Sequence, residues 1–414
     1  MGRVLLILPS ATYRAPDFLA AADALGVEVV VASDQRQALA AALGDRALTL
    51  PLSRPQDAAR LIVELAARAP LDAVLAVDEQ GVLTAAVAAA ALGLRGNPPE
   101  AVAATRDKVA MRRALALAGM AQPTHAVAWP ADDVGALAAE VGLPCVVKPV
   151  SLAASRGVIR ADDSPAARAA ATRIRAILVE AGEDRDGPLL VERYVPGVEV
   201  ALEGLLQGGV LSTLAIFDKP DPLEGPYFEE TLYVTPSRLE AETLAAIEAS
   251  AATAAQALGL REGPVHAELR IDGEHLWVLE LAARSIGGLC ARALRFGIGV
   301  SLEELILRHA LGLSLDGLGR EAAASGVMML PIPRGGALRE VRGQDAARAV
   351  PGIAGLELSI TPGRPVVPLP EGDRYLGFLF ARAETPAQVE RALRAAHARL
   401  DIVIDDPATE AATG

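Results

Sequence analysis

Over the first hundred residues, short apolar runs alternate with stretches in which apolar positions recur with helical spacing. The short runs predict buried strands, and the longer spaced stretches predict helices. These predicted elements follow one another at 4–8, 15–25, 27–32, 35–43, 56–67, 73–77 and 82–92. Strands separated by helices favour a parallel sheet covered on both faces, with ligands at the carboxyl ends of the strands. We therefore expect a functional edge near Pro9-Ser10 and Val77-Asp78-Glu79.

The pattern changes after a cluster of helix breakers at 95–99, which is a candidate domain boundary. Two later segments, 199–217 and 265–281, each contain a glycine turn between two predicted strands, so they predict antiparallel hairpins. In the second segment, apolar and polar residues alternate on both sides of the turn. From residue 326 onward, short strands with Pro and Gly precede a predicted helix at 386–400. This last part predicts a small α+β domain.

The composition excludes several classes of protein. In 414 residues, 52% are hydrophobic and 22% charged, which excludes wholesale disorder. Mean hydropathy is +0.31, yet no run of about 18 strongly apolar residues predicts a membrane span, and the N-terminus lacks a signal-peptide core. A net charge of −13, 3% aromatic residues and no basic block argue against nucleic-acid binding. We expect a cytoplasmic protein that binds neither membrane nor nucleic acid.

Lysine is rare in this chain. Of the 39 basic residues, only Lys108, Lys148 and Lys219 are lysine, so the other 36 are arginine. Where arginine is the general surface cation, a retained lysine indicates a need for a compact ammonium that the planar guanidinium cannot replace. We therefore expect at least two of the three lysines to be functional.

Two glutamates on the second predicted hairpin form the strongest chemical signal. If the hairpin centres on residue 274, Glu268 lies directly opposite Glu280, and both side chains point to the same face. Like charges in this position destabilise a sheet unless something compensates them, and a divalent cation with oxygen ligands does so. We interpret the pair as a Mg²⁺ site, with a solvated hairpin face as the alternative.

Two further segments suit a nucleotide. Lys148 ends an apolar strand and precedes a loop of small residues at 151–157, where a cation, loop amides and hydroxyls suit a polyphosphate. The spacing is not that of a Walker loop. The connector at 191–199 joins a strand to a turn with carboxylates at both ends, which suits an adenine edge and ribose hydroxyls. A plain strand with a turn is the alternative there.

Taken in order, these motifs resemble the ATP-grasp superfamily from about residue 98 to 311. The resemblance implies ATP and Mg²⁺ as cofactors, with Mn²⁺ as a substitute. It implies nucleotide-binding roles for the following residues: Lys108, Lys148, Ser151, Ser155, Gly157, Glu192, Tyr194, Val195, Glu199 and His266. It also implies that Glu268 and Glu280 hold the metal and that Arg284 acts with Lys148 in catalysis. The superfamily often has Asn where this chain has Ala282, so a further metal ligand is lacking.

Within that superfamily, the runs at 225–231, 280–288 and 375–378 look like those of L-amino-acid ligases and carnosine-synthase-like enzymes. The likeness implies that Glu230 acts in catalysis by meeting the ammonium of an amino-acid substrate. A solvated loop is the alternative for Glu229 and Glu230, and Lys219 is equally compatible with a surface cation. For His266, a hydrogen-bonded core histidine is the alternative.

The implied architecture has three parts, all of mixed α/β and α+β type. They are an N-terminal parallel α/β domain at 1–97, an ATP-grasp fold of two α+β subdomains at 98–320 with a lid at about 120–195, and a small ligase-type α+β domain at 321–414. A homodimer is compatible with this arrangement.

The implied function is ATP-dependent ligation of a small-molecule carboxylate to an amine through an acyl phosphate, with release of ADP and phosphate. An ATP-grasp carboxylase or nucleotide-precursor ligase is one alternative, and an ATP-binding regulatory protein without turnover is another. A nicotinamide oxidoreductase is disfavoured because no glycine fingerprint follows the first strand.

Overall fold

The structure, a computed structural model, describes residues 2–10, 12–36 and 44–406. It begins with a four-stranded parallel sheet in the order β3-β2-β1-β4. The elements of this part are β1 (Arg3–Ile7), α1 (Ala15–Ala24), β2 (Glu28–Ser33), β3 (Ala47–Thr49), α2 (Pro55–Arg68), β4 (Ala73–Ala76) and α3 (Val82–Leu92). The helix predicted over 35–43 falls largely on residues 37–43, which lie outside the described ranges.

Both faces of this parallel sheet are covered. Val4 and Leu6 of β1 pack in one core with Phe18 of α1, whereas Leu5 and Ile7 pack in another with residues of α2 and α3. Successive side chains of a strand point to opposite faces, so a strand buried on both sides needs a continuous apolar run. The predicted parallel α/β arrangement is confirmed.

Helices α4 (Pro99–Arg106) and α5 (Lys108–Leu117) lead into a second, antiparallel sheet in the order β5-β8-β6-β7, which we call the small sheet. Its elements are β5 (His125–Ala128), α6 (Val134–Val141), β6 (Cys145–Pro149), β7 (Ile159–Ala161), α7 (Ser164–Glu180) and β8 (Leu189–Arg193). Val147 and Val191 face a core shared with α6 and α7. Lys148 and Glu192, their neighbours in sequence, therefore lie on the opposite face, where both are also buried.

The large sheet has eight strands in the order β13-β12-β9-β10-β11-β14-β18-β16. Its strands are β9 (Val198–Gln207), β10 (Val210–Asp218), β11 (Leu232–Thr235), β12 (Gly263–Asp272), β13 (His275–Ala282), β14 (Ala324–Leu330), β16 (Ile353–Leu358) and β18 (Gly377–Ala383). Both predicted hairpins are present and pair with each other through β9 and β12. Helix α8 (Ala241–Ala257) packs in one core with this end of the sheet, and α9 (Leu302–Ala310) follows.

The end of the chain contributes to two sheets. Strands β14, β16 and β18 extend the large sheet, so that sheet continues through the predicted domain boundary at 320/321. The rest forms a three-stranded sheet of β15 (Gly336–Arg342), β17 (Pro365–Val366) and β19 (Asp401–Asp405), with α10 (Gln344–Arg348) and α11 (Pro386–His397). Within the described ranges, no helix combines the length and apolar character needed to cross a membrane.

Candidate active site

A cavity of about 460 Å³ lies where the two sheets of the central region meet the carboxyl edge of the N-terminal sheet. Most of the predicted site residues line it: Lys108, Lys148, Ser151, Ser155, Glu192, Tyr194, Val195, Glu199, Glu230, His266, Glu268, Glu280 and Arg284. Gly157 lies outside the cavity wall, and its amide donates to the carbonyl of Pro370 at 2.9 Å. Folding therefore brings residues from distant parts of the chain into one site.

The second hairpin places Glu268 directly opposite Glu280, as the sequence predicted. Its turn is only two residues long, because Asp272 pairs with His275. A bulge in β13 then inserts one extra residue and shifts the register. Without that bulge, Leu279 would oppose Glu268, and the second carboxylate would point away from the cavity.

Acidic and basic side chains alternate on the face of the large sheet that carries these carboxylates. Arg270 of β12 lies opposite Glu199 of β9 and donates to it at 2.8 Å. His266 lies opposite Glu203, with 3.2 Å between Nδ1 and the nearer carboxylate oxygen. Glu268 lies between these two rows. Cross-strand pairing of opposite charges compensates this acidic face in part.

Glu203 is a buried carboxylate that the sequence analysis did not single out. It is fully buried and also accepts the amide of Ile286 at 2.9 Å, and burial raises its pKa. The other imidazole nitrogen of His266 lies 3.5 Å from Glu268. Burial by itself lowers the pKa of His266, but its contacts with Glu203 and Glu268 raise it to about 9. The imidazole lies opposite Ala282, the position without a metal ligand.

Lys219 is not a surface cation, so that alternative is wrong. Its side chain is only 3% exposed, and its ammonium lies 2.7 Å from Glu199, 2.5 Å from Glu230 and 3.4 Å from Glu268. Burial by itself lowers the pKa of Lys219, but the three carboxylates raise it well above its usual value. All three lysines of the chain therefore line or neutralise this site.

Glu230 is held from several sides in addition to Lys219. The hydroxyl of Tyr233 donates to it at 2.6 Å, and that of Tyr375 does so at 3.3 Å. Tyr375 belongs to the C-terminal part of the chain, so that part completes this end of the cavity. Glu229, its neighbour in sequence, is not among the residues that line the cavity.

Lys148 and Glu192 form an ion pair on the face of the small sheet that lines the cavity. Arg112 of α5, fully buried, donates to Glu192 at 2.5 Å and to the carbonyl of Leu279 at 2.8 Å. Burial by itself raises the pKa of Glu192, but Arg112 and Lys148 lower it to about 2. The Glu192 carboxylate thus holds Lys148 in place. Because that carboxylate is occupied, the backbone at the end of β8 is the group suited to an adenine.

Lys108 connects the loop at 151–157 with the second hairpin, which carries Glu268 and Glu280. Its ammonium donates to the carbonyl of Leu152 at 2.7 Å and lies 3.9 Å from Glu280. Ser155 lies in this loop with a φ of 55°, in the left-handed region. The loop therefore covers the cavity with hydroxyls and backbone groups, as a polyphosphate site requires.

Arg270 organises the opposite end of the cavity. It donates to the carbonyl of Val195 at 2.6 Å, and its guanidinium lies 5.1 Å from the ring of Tyr194 and 5.7 Å from that of Phe228. Together with Glu199, these groups build an aromatic and polar wall. Arg270 was not among the predicted site residues, although its spacing of two from Glu268 places both on one face.

Arg284 reaches the N-terminal sheet, at the edge that the sequence predicted to be functional. Its Nε donates to Glu79 at 2.8 Å, and Arg106 lies 3.4 Å from the same carboxylate. Burial by itself lowers the pKa of Arg284, but Glu79 and Glu280 raise it. The N-terminal part of the chain therefore positions the guanidinium of Arg284 beside the second hairpin.

The donor set at this site fits a hard divalent cation. Glu268 and Glu280 face the cavity from adjacent strands, and carboxylate oxygens suit such an ion. Oxygens of Glu199, Glu230 and Glu268 also lie within 4.8 Å of one another. Lys219 lies closest to Glu199 and Glu230, at 2.7 and 2.5 Å, and farther from Glu268, at 3.4 Å. Glu268 with Glu280 is therefore the pair that would hold a metal.

Three family models match successive parts of the chain. Residues 19–96 match the ATP-grasp N-terminal domain, residues 141–293 the ATP-grasp domain, and residues 328–405 the L-amino acid ligase C-terminal domain 2. The chain contains an ATP-grasp domain and, before it, an ATP-grasp N-terminal domain. The resemblance that the sequence motifs indicated is thereby confirmed.

Individual relatives of this ATP-grasp protein are distant. It is 28% identical over 309 residues to an uncharacterized protein of Sinorhizobium fredii, covering 74% of this chain and 63% of that protein. It is 28% identical over 263 residues to an alanine–anticapsin ligase of Bacillus subtilis, covering 59% and 55%. The chain thus spans less than two thirds of the length of these relatives. The crystal structure of an L-amino acid ligase from Bacillus licheniformis shares the fold, with a TM-score of 0.80, 24% identity and coverage of 98% and 99%.

Proposed function

We propose that this ATP-grasp protein is a ligase that uses ATP to join a carboxylate, such as an amino acid, to the amine of a second substrate. One observation carries the proposal: a single cavity combines Lys108, Lys148 and Arg284 with the opposed carboxylates Glu268 and Glu280. This set suits a triphosphate beside a carboxylate substrate, two anions that repel each other unless the site neutralises them. The match of the C-terminal part to L-amino acid ligases supports the same class.

In the first step, a carboxylate oxygen of the acid attacks the γ-phosphorus of ATP, and the bond to the β-phosphate oxygen breaks. The products are an acyl phosphate and ADP. Lys148 and Lys108 would neutralise the phosphates, and the backbone near Val195 and the carboxylate of Glu199 would meet the adenosine. Arg284 would stabilise the charge on the acyl phosphate.

In the second step, the amine nitrogen attacks the acyl carbon, and the carbon–oxygen bond to phosphate breaks. Glu230 would bind the ammonium of the acid when the acid is an amino acid. Water must be kept out, because acyl phosphates hydrolyse readily. The loop at 151–157 and the small sheet would close over the cavity for this purpose.

Mg²⁺, with Mn²⁺ as a substitute, belongs to this proposal, with Glu268 and Glu280 as its protein ligands. When bound, the metal supplies charge neutralisation to the phosphate oxygens. We propose that the domain at 1–97 positions the substrates and that the domain at 98–320 binds ATP, with a lid at about 120–195. The domain at 321–414 would enclose the substrates. A cytoplasmic location, where ATP and amino acids are available, and a homodimer complete the proposal.

The competing functions within the superfamily differ in their second substrate. A carboxylase would release ADP only with bicarbonate, and a nucleotide-precursor ligase only with a phosphoribosyl amine. A regulatory protein would bind ATP without turnover.

A matrix of amino-acid pairs with ATP and Mg²⁺, scored by phosphate release and product mass, separates these cases. We expect a product whose mass is the sum of the two substrates minus water. Arg284→Ala and Glu280→Ala should abolish ADP release while the far-UV circular dichroism and melting curve stay those of a folded protein. Arg168→Ala, which removes an exposed ion pair to Asp133 outside the cavity, should retain full activity. Normal turnover in the Arg284 or Glu280 variant would contradict the assignment.

A further inference from the structure

Asp78 is the exception among the acidic side chains of the cavity. Eight other carboxylates line it, and each accepts a hydrogen bond or lies within 4 Å of a cation: Glu79, Glu183, Glu192, Glu199, Glu230, Glu268, Glu280 and Asp373. Within the described ranges, the Asp78 side chain has no such partner, although it precedes a helical turn that it could cap. A carboxylate left without a partner in a binding cavity is available to a cationic ligand.

The position of Asp78 connects it with the reacting groups. It lies two residues beyond the end of β4 and precedes Glu79, which holds Arg284 at 2.8 Å. Its charge also acts on the guanidinium of Arg284 and on the phenol of Tyr13. Tyr13 lines the same wall, and its buried hydroxyl lies near the backbone of Tyr375. A carboxylate without a partner and a phenol therefore line the same cavity as Arg284, the arginine proposed to stabilise the acyl phosphate.

The amine substrate needs a site that binds its positive charge. An α-amine is an ammonium near neutral pH, and it must approach the acyl carbon past Lys108, Lys148 and Arg284, which repel it. Binding at any other carboxylate of the cavity would compete with a cation or hydrogen bond already there. Glu230 accepts from Lys219 and two tyrosines, and in the proposed function it meets the ammonium of the acid, so it does not serve the acceptor as well.

We propose that Asp78 binds the ammonium of the acceptor amine, with the Tyr13 hydroxyl as a second polar contact. The proposal rests on the proposed ligase function and assigns the acceptor to a class, primary amines that carry a positive charge in solution. The acceptor then enters from the N-terminal sheet, whereas the acid lies toward Glu230. Before attack, the ammonium releases one proton to water. The nitrogen then forms the bond to the acyl carbon, and its second proton leaves with phosphate as HPO₄²⁻.

Hydroxylamine separates the two halves of the reaction. It is neutral at pH 8 and traps acyl phosphates as hydroxamates, so it should not need an ammonium site. The variant is Asp78→Asn, which keeps the shape and removes the charge. The matched control is Asp72→Asn, a change of the same kind in the loop before β4, where the carboxylate is exposed and accepts the amide of Arg3 at 2.7 Å.

For Asp78→Asn we expect KM for the amino-acid acceptor to rise at least about tenfold, the effect of losing one charged hydrogen bond. KM for the acid, KM for ATP and the rate of hydroxamate formation should stay within about twofold of wild type. Asp78→Glu, which restores the charge, should recover part of the acceptor affinity, and Asp72→Asn should match wild type throughout.

An unchanged acceptor KM in Asp78→Asn, or an equal loss of hydroxamate formation, would overturn the assignment of Asp78 while leaving the ligase function intact. If Asp78→Asn does not fold, Asp78→Glu provides the test. Its longer side chain moves the carboxylate, so we expect its acceptor KM to lie above that of wild type. Wild-type values of both KM and kcat in Asp78→Glu would contradict the assignment. If wild type forms no hydroxamate with any acid, the proposed function itself fails, and this inference fails with it.

Discussion

Replacing Lys219 with methionine tests how the acidic end of the cavity is held together. Methionine has a similar length but no charge, so the change leaves Glu199, Glu230 and Glu268 close together without their shared ammonium. Removing one partner of a buried ion pair costs about 3–5 kcal/mol, because the remaining charge stays buried without compensation. We expect Lys219→Met to lower the free energy of unfolding by about this amount at pH 8.

The loss should depend on pH in a definite direction. The pKa of Lys219 is raised in the folded protein, so its contribution is fully present below the usual lysine value and constant between pH 5 and 8 in wild type. Burial by itself raises the pKa of Glu268, and in wild type Lys219 is the main group that lowers it. The variant loses this lowering, so Glu268 takes up a proton at a higher pH than it does in wild type. The variant therefore gains stability as pH falls, and its deficit should be smaller at pH 5 than at pH 8.

Urea unfolding followed by circular dichroism at both pH values measures this difference. The control is Arg168→Met, which breaks a pair whose side chains are 51% and 50% exposed and should leave the free energy of unfolding almost unchanged. Added Mg²⁺ or Mn²⁺ should recover part of the deficit of Lys219→Met, since a divalent cation can replace the ammonium among the oxygens. Wild-type stability at pH 8, or an equal deficit at both pH values, would refute this account of the cluster.

Two further predictions concern the closure and the pH range of the site. Arg173 of α7 holds Glu371 of the C-terminal part through contacts of 2.5 and 2.9 Å. We expect Arg173→Ala to raise the phosphate released per amide formed, with Arg168→Ala at the wild-type ratio, and an unchanged ratio would count against closure through this contact. Glu192 has a pKa lowered to about 2, so its stabilising contribution is complete above about pH 4.5 and is lost as pH falls toward 2. Glu192→Gln should therefore destabilise the protein at pH 7 and flatten its loss of stability in acid, and parallel acid unfolding curves for both proteins would disprove this.

The sequence was most informative where a simple periodicity governs the structure. Alternation along the second hairpin placed Glu268 and Glu280 on one face, and the continuous apolar run of β1 predicted a sheet covered on both sides. The agreement at the hairpin depended on a bulge that the sequence does not reveal, since a two-residue turn without it would pair Glu268 with Leu279. The rarity of lysine was also informative, because Lys219 proved to belong to the site with the other two lysines.

The partners of these residues could not be predicted. Arg112 and Arg270 are buried and hold Glu192 and Glu199, but they are two of 36 arginines, and nothing local distinguishes them from surface cations. Glu203 becomes recognisable only when the register of β9 against β12 places it opposite His266. Such contacts depend on strand pairing between distant segments, which the one-dimensional pattern of polar and apolar residues does not encode.

The continuity of the large sheet links the folding of the chain to the recognition of its substrates. Strand β14 pairs with β11, and β18 continues the sheet beyond it. A chain shortened to end at residue 320 would leave the edge of β11 open, with backbone amides and carbonyls free to capture another molecule's strand. The same cut removes Tyr375 from Glu230. Exchanging the terminal segment between related enzymes would thus alter solubility and substrate choice together, and the two effects would have to be separated by repairing the β11 edge independently.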